Sequence, residues 1–198
     1  MEIYRSFGYF PTESSEHSAE YVPWFMPHPD QVDRYRIPVD EYVRRSYENL
    51  AEYGELRERL AGGAGIDTAP THELATNIIH SIETGSPRVE YVNVRNEGLI
   101  SSLPEGCCVE VPADVDEHGV HPIAIGPLPS QCAALNRTFL NVAELTVRAA
   151  LEDRREHVYQ AALLDPNAAA SLTIDQIRSL VDDLIDAHGD LLPAGIRR

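Results

Sequence analysis

Apolar residues recur at three- and four-residue steps over most of this chain and alternate with polar ones over a shorter middle section. From Val39 onward, Tyr42, Val43, Tyr47, Leu50 and Leu60 follow the helical step, with Arg44, Arg45, Glu48, Glu52, Arg57 and Glu58 between them. Two sets of positions on opposite sides of a 3.6-residue repeat predict an amphipathic helix. Gly62-Gly63-Ala64-Gly65 ends it, and with no strand before it and no apolar helix directly after it, reads as a linker rather than a phosphate loop. Leu74, Ile78, Ile79 and Ile82 predict a second helix, capped by Thr71 and closed by Gly85. Three strands are expected next: one marked by Val89, Tyr91 and Val94, one over Cys107–Val111, and a short one over Val120–Ile125. Pro104-Glu105-Gly106 and Glu117-His118-Gly119 supply the turns. Pro129 then opens a long helix through Leu135, Phe139, Val142, Leu145, Val147 and Leu151, and a shorter one carries Val158, Ala162 and Leu163. Thr173-Ile174-Asp175-Gln176 is a capping box ahead of Ile177, Leu180, Val181, Leu184 and Ile185. Near the start, Pro23 to Pro38 is punctuated by prolines and leaves room only for a short helix around Asp30–Tyr35. The expected fold class is α+β, a small sheet packed with a majority of helices.

Composition narrows the function. The chain has 198 residues, enough to bury a core in one domain, and a formal net charge of -16. Nucleic-acid phosphates require clustered cations, so that charge argues against such a partner. No apolar run reaches the ~20 residues of a membrane helix, and no signal pattern opens the chain, which gives a cytoplasmic expectation. All 16 basic residues are arginine. Without lysine, Schiff-base chemistry and lysine-dependent phosphate loops drop out. Cys107, Cys108 and Cys132 form no C-x-x-C pair, and adjacent residues of a strand face opposite ways, so they read as buried, inert thiols.

The candidate chemistry concentrates in Gly8-Tyr9-Phe10-Pro11-Thr12-Glu13-Ser14-Ser15-Glu16-His17. Carboxylates, hydroxyls, an imidazole and aromatic rings together suit a polar, ring-shaped ligand such as a sugar. The same residues also read as a loop in which Ser15, followed by Glu16 and His17, opens a helix. Asn93-Val94-Arg95-Asn96-Glu97-Gly98 places a guanidinium and two amides at a strand end, a rigid mount for a ligand or an ordinary turn closed by Asn96 and Gly98. Among the eight histidines, His28, His118 and His157 read as surface residues. His17 and His121 stand out for their polar settings, though a plain structural role is the favoured reading of each.

These motifs also carry a resemblance. Gly8-Tyr9-Phe10 with Thr12–His17 and Ala19-Glu20-Tyr21 closely resembles the second half of the NAD- and manganese-dependent α-galactosidases of glycoside hydrolase family 4. So do Asn93–Ile100, Leu103-Pro104, Gly106–Val111, Leu128-Pro129, Ala133-Ala134-Leu135, Asp165-Pro166, Val181–Ile185 and Ala187-His188-Gly189-Asp190. The resemblance covers essentially the whole chain in order, as one C-terminal domain over residues 1–198. Pro11 departs from it, standing where the family more often has a β-branched apolar residue.

The resemblance implies a fold like the C-terminal domain of lactate and malate dehydrogenases. It also implies an NAD-binding Rossmann half and a Cys/His pair for manganese, neither of which has a counterpart here, since no G-x-G-x-x-G occurs. It further implies glycosidic cleavage by oxidation at the sugar C3, loss of the C2 proton to a base, elimination, and reversal of the oxidation after water adds, outside the two-carboxylate scheme. The base of the family, a tyrosine or aspartate, falls near Glu13–Ser14, so Tyr9, Glu13 and Glu16 remain open for that role. Ser14, Ser15, His17, Arg95 and Asn96 are the expected substrate-binding residues. The expectation is the substrate-binding and dimerising part of an α-galactosidase-like enzyme, inactive alone and homo-oligomeric when complete. It binds neither NAD nor manganese by itself. The alternatives are α-glucoside or α-galacturonide specificity, or a non-catalytic remnant or interaction module.

Overall fold

The computed structural model describes residues 1–65, 69 and 73–197; of Ser15 only the backbone is described. Its elements follow in the order α1 (Glu2–Phe7), α2 (Ser15–Glu20), α3 (Pro29–Tyr35), α4 (Glu41–Ala61), α5 (Leu74–Thr84), β1 (Arg88–Arg95), β2 (Cys108–Asp116), β3 (Gly119–Pro122), α6 (Ser130–Glu152), α7 (Arg155–Leu164), α8 (Pro166–Ser171), α9 (Ile174–His188) and α10 (Ala194–Arg197). The α+β expectation holds, with helices in the majority around a three-stranded antiparallel sheet of order β1-β2-β3.

Alternation sets the sheet register. Val92 pairs with Val111 and Val94 with Val109, so one face collects Val92, Val109, Val111, Ala113 and Val115, all buried. The opposite face presents Val89, Tyr91, Asn93 and Arg95 to solvent beside Cys108, Glu110 and Asp114. α5 packs against the sheet, and Arg88 of β1 donates to Ser81 Oγ at 2.9 Å to lock the pair. The third strand is shorter than expected, stopping at Pro122, because proline has no N–H to continue a ladder.

Two apolar clusters form beyond α5. Ile100, Val109 and Val111 pack with Leu99, Leu103 and Leu128 under the sheet. Ala149, Val181, Ile185 and Ile196 join α6, α7, α9 and α10 in the C-terminal third. The capping box at Thr173 forms as expected: Gln176 N–H donates to Thr173 Oγ1 at 3.3 Å, and Thr173 N–H to Gln176 Oε1 at 2.8 Å.

Several sequence expectations are corrected. His157 is buried at 5% exposure, not on the surface: its ring nitrogens meet Gln160 Oε1 at 2.8 Å and Glu152 Oε2 at 2.9 Å. Cys108 is exposed and Cys107 and Cys132 are half-buried, since β2 turns its even positions to solvent. Burial raises the Cys107 thiol pKa, which keeps it protonated and unreactive. Thr71 lies outside the described residues; α5 starts at Leu74 with Glu73 in the N-cap position.

Candidate functional site

The N-terminal segment divides at Ser14. Upstream, Gly8 ends α1 in a left-handed conformation (φ 80), which turns Tyr9 and Phe10 away from the helix axis. Phe7 packs on Trp24 at 5.5 Å between ring centroids, and Tyr4 meets Phe10 edge-on at 6.3 Å. Downstream, Ser14 caps α2 by accepting from His17 N–H at 3.3 Å. A helix therefore opens here as expected, but with Ser14 rather than Ser15 in the cap position, while residues 9–13 stay irregular.

Two long-range bonds hold this segment over α6. Gln131 Nε2 donates to the Phe7 carbonyl at 3.1 Å, and Asn167 Nδ2 of α8 donates to the Glu20 carbonyl. Between the segment and α6 lies an open cavity of about 480 Å³. Tyr9, Thr12, Glu13, Ser18, Tyr21 and Asn136 bring polar groups to it; Phe7, Phe10, Leu135 and Phe139 form apolar walls. Tyr21 and Phe139 of its lining pack together at 4.8 Å between ring centroids. Burial raises the Tyr21 phenol pKa, so it is a hydrogen-bond donor at neutral pH. A second hollow of about 360 Å³ shares Phe10, Pro11, Glu13 and Ser18 and adds Glu16 and Arg36. Glu13 thus stands between the two, with Oε1 accepting from Ser14 N–H at 2.9 Å.

The expected site residues fare differently. Tyr9 and Glu13 line the main cavity and Glu16 the second. Hydrogen bonds from its own backbone and Ser14 lower the Glu16 pKa. Ser14 is the cap of α2, and the Ser15 side chain lies outside the described residues. His17 lines neither hollow; its Nδ1 lies 2.9 Å from Glu20 Oε2, which raises its pKa, and its ring stacks on Tyr21.

Asn96 is a correction. It is 1% exposed, and its amide donates to the carbonyls of Ile100, Leu103 and Pro104 at 3.0, 3.2 and 2.9 Å while accepting from Ile100 N–H at 3.0 Å. Those bonds staple the β1–β2 loop and bury the amide away from solvent. Arg95 is also not brought to either hollow: its side chain is 69% exposed and lies over Gly106, near Glu97. A Cβ at Gly106, where φ is 81, would meet Arg95 Nη2 at 3.0 Å.

Asn136 and Cys132 were missed by sequence reasoning. The signal was present, since Cys132, Leu135, Asn136 and Phe139 share one face of α6 at helical spacing. Among the described residues, no three His, Cys, Asp or Glu side chains cluster in a way that fits a metal ion. No helix among them is long and apolar enough to cross a membrane.

Residues 1–168 match the family 4 glycosyl hydrolase C-terminal domain. The chain is 41% identical over 195 residues to the α-galactosidase of Bacillus subtilis, covering 98% of this chain and 45% of that one. It is 31% identical to the α-galactosidase of Rhizobium meliloti, covering 98% and 41%. An α-galacturonidase of Bacillus subtilis is 24% identical, covering 84% and 37%. The chain thus spans less than half the length of these relatives. Among solved structures, a putative glucosidase from Bacillus subtilis superposes with a TM-score of 0.82 at 23% identity, over 92% of this chain and 41% of that one. A 6-phospho-α-glucosidase from gut microorganisms, in complex with NAD and Mn2+, gives 0.62 at 21% identity, over 78% and 34%. With residues 1–168 matching the family model and 98% of its length 41% identical to an α-galactosidase, this chain belongs to the family 4 glycosyl hydrolases, as their C-terminal domain.

Proposed function

We propose that residues 1–198 form the sugar-binding part of a cytoplasmic, homo-oligomeric α-galactosidase, with the main cavity beside α6 receiving the galactosyl ring. The observation that carries this reading is the convergence of Tyr9, Thr12, Glu13, Ser18, Tyr21 and Asn136 on one hollow with aromatic walls. Hydroxyl, amide and carboxylate groups pair with sugar hydroxyls, and flat rings cover the C–H faces. Of the relatives matched over 98% of this chain, those at 41% and 31% identity are α-galactosidases, and one at 22% is an α-galacturonidase. In this reading NAD and manganese, both present in the solved 6-phospho-α-glucosidase described above, are held by a dinucleotide-binding half rather than by these residues. When bound there, they supply the oxidation–elimination chemistry of the complete enzyme. The part played here is to bind and orient the sugar, with Tyr9, Glu13 and Glu16 as the groups available to take a proton. His17 steadies Tyr21 by stacking and does not touch the sugar.

The test is kinetic, in an enzyme completed with its dinucleotide-binding half. Glu13→Ala and Asn136→Ala each lower kcat/KM for an aryl α-galactoside by at least about tenfold, equivalent to ~1.4 kcal/mol, because the remaining sugar partners stay desolvated. NAD affinity holds, and Glu58→Ala on the solvated side of α4 is silent. Site variants that behave like Glu58→Ala would remove the cavity from the reading.

A further inference from the structure

We infer that Glu13 selects substrates by charge, so that the cavity accepts an uncharged hexopyranoside and rejects the same ring bearing a carboxylate or a phosphate. The inference rests on the proposed sugar site and adds the residue that discriminates between classes of glycoside. The relatives named above differ in this respect, since a galacturonide carries a carboxylate and a 6-phospho sugar a phosphate.

Glu13 is the one Asp, Glu, Arg or His side chain among the described residues that line the main cavity. The other polar groups there are hydroxyls, a thiol and the Asn136 amide, all uncharged. The neighbouring hollow adds Glu2 and Glu16 against the single cation Arg36. Nearby cations are turned to other partners. Arg137 of α6 donates to Asn141 Oδ1 at 2.9 Å, and His17 Nδ1 meets Glu20 at 2.9 Å.

Recognition of a carboxylate or phosphate inside a cavity calls for a charge-assisted donor, most effectively a guanidinium. An anionic sugar here would shed water, find no cation on the lining, and face a carboxylate instead. Glu13 is also fixed for this role. Ser14 N–H holds Oε1, and the remaining acceptor capacity of the carboxylate is free for a sugar hydroxyl. A neutral ring gains that hydrogen bond, whereas an anionic ring meets like-charge repulsion. At a separation of about 6 Å in a half-solvated cavity, the repulsion amounts to roughly tenfold in affinity.

The experiment titrates the 198-residue chain with methyl α-galactoside, methyl α-galacturonide and galactose 6-phosphate, following backbone amides of Thr12, Ser18, Cys132 and Asn136 by NMR. The neutral glycoside perturbs those amides, and both anionic sugars bind at least about tenfold more weakly. Glu13→Gln keeps the shape and an acceptor for Ser14 N–H while removing the charge. In that variant the ratio of neutral to anionic affinity falls to within about threefold, whatever the change in affinity for the neutral sugar itself. Equal binding of all three by the unmodified chain overturns the charge filter but leaves the sugar site standing, as does discrimination that survives Glu13→Gln. If none of the three sugars moves the cavity amides, the proposed sugar site itself fails, and the filter with it.

Discussion

α9 and α4 are both amphipathic helices, yet one is the keystone of a core and the other packs little of itself away. α9 buries Ile177, Val181 and Ile185, and the last two meet Ala149 and Ile196 in the C-terminal cluster. α4 is longer, 21 residues against 15, and has no buried residue. Its apolar side leaves Tyr42 at 83% and Leu50 at 68% exposure. Periodicity thus specifies that a helix has an apolar side, while the presence of a partner depends on the rest of the assembly. A helix of α4's length with that much exposed apolar surface is suited to contacts with other polypeptide. Its ends differ from those of α9 as well. α9 starts in a reciprocal capping box, whereas α4 starts at Asp40, which has φ 57 and makes no side-chain cap.

The largest effect separates the two helices by packing. Ile185→Ala removes buried methyl groups from the C-terminal cluster and costs about 2–5 kcal/mol, because the surrounding side chains cannot fully collapse. Leu50→Ala in α4 changes stability by about 0.5 kcal/mol or less, since there is little packing to lose. Urea denaturation of the isolated chain measures both. Equal losses would mean that α4 is packed in solution, and the contrast would break.

Second in size is Asn96→Ala, which tests whether a polar staple rivals an apolar core. It leaves Ile100 N–H and three carbonyls without their partner and costs about 1–3 kcal/mol. Asn96→Asp keeps an acceptor for Ile100 N–H but loses the amide donors, so it falls short of a rescue. A neutral Asn96→Ala would show that water replaces the staple.

Asn96 also marks the limit of what the sequence discloses. Its neighbours announced a strand end and a turn, and both are present. Whether the amide faced a ligand or the loop depended on carbonyls from residues 100 to 104 folding back onto it, and no local pattern encodes that closure. His157 is similar: it sits on a helix like a surface residue, but Glu152 and Gln160 meet its two nitrogens. By contrast, the helix starting at Thr173 and the presence of three strands were legible, because capping and alternation act over a few residues. The cavity was half legible. Tyr9 and Glu13 belonged to the polar segment, whereas Asn136 came from a helix some 120 residues away, in a position that periodicity alone assigns to packing.

The caps give a smaller contrast. Thr173→Ala breaks the capping box of α9 and costs about 1 kcal/mol. Asp40→Gly at the start of α4 shifts stability by only a few tenths of a kcal/mol, because glycine suits a positive φ and no cap bond is lost. Thermal melts of the two variants, recorded side by side, measure the difference. A larger loss at Asp40 would mean that the two helix starts do not differ as described.

The smallest effect at neutral pH concerns the junction that lets α7 and α9 pack back on α6. Glu152 at the end of α6 accepts from Arg148 Nε at 2.8 Å and lies 2.9 Å from His157 Nε2. These bonds, Arg148 first, lower its pKa from the ordinary 4.5 to about 2. A carboxylate with a depressed pKa in the folded state contributes stability above its unfolded value, and that contribution is lost as pH falls through the folded one. The window runs from 4.5 down to about 2. Glu152→Gln removes the titration, so its Tm declines less steeply than that of the unmodified chain across this window. Near neutrality the two melt within a few degrees, because partly exposed ion pairs contribute little. Parallel Tm curves through the acid range would show that the Glu152–Arg148–His157 contacts carry no linkage to folding, and that the α6–α7 corner is held by its apolar contacts alone.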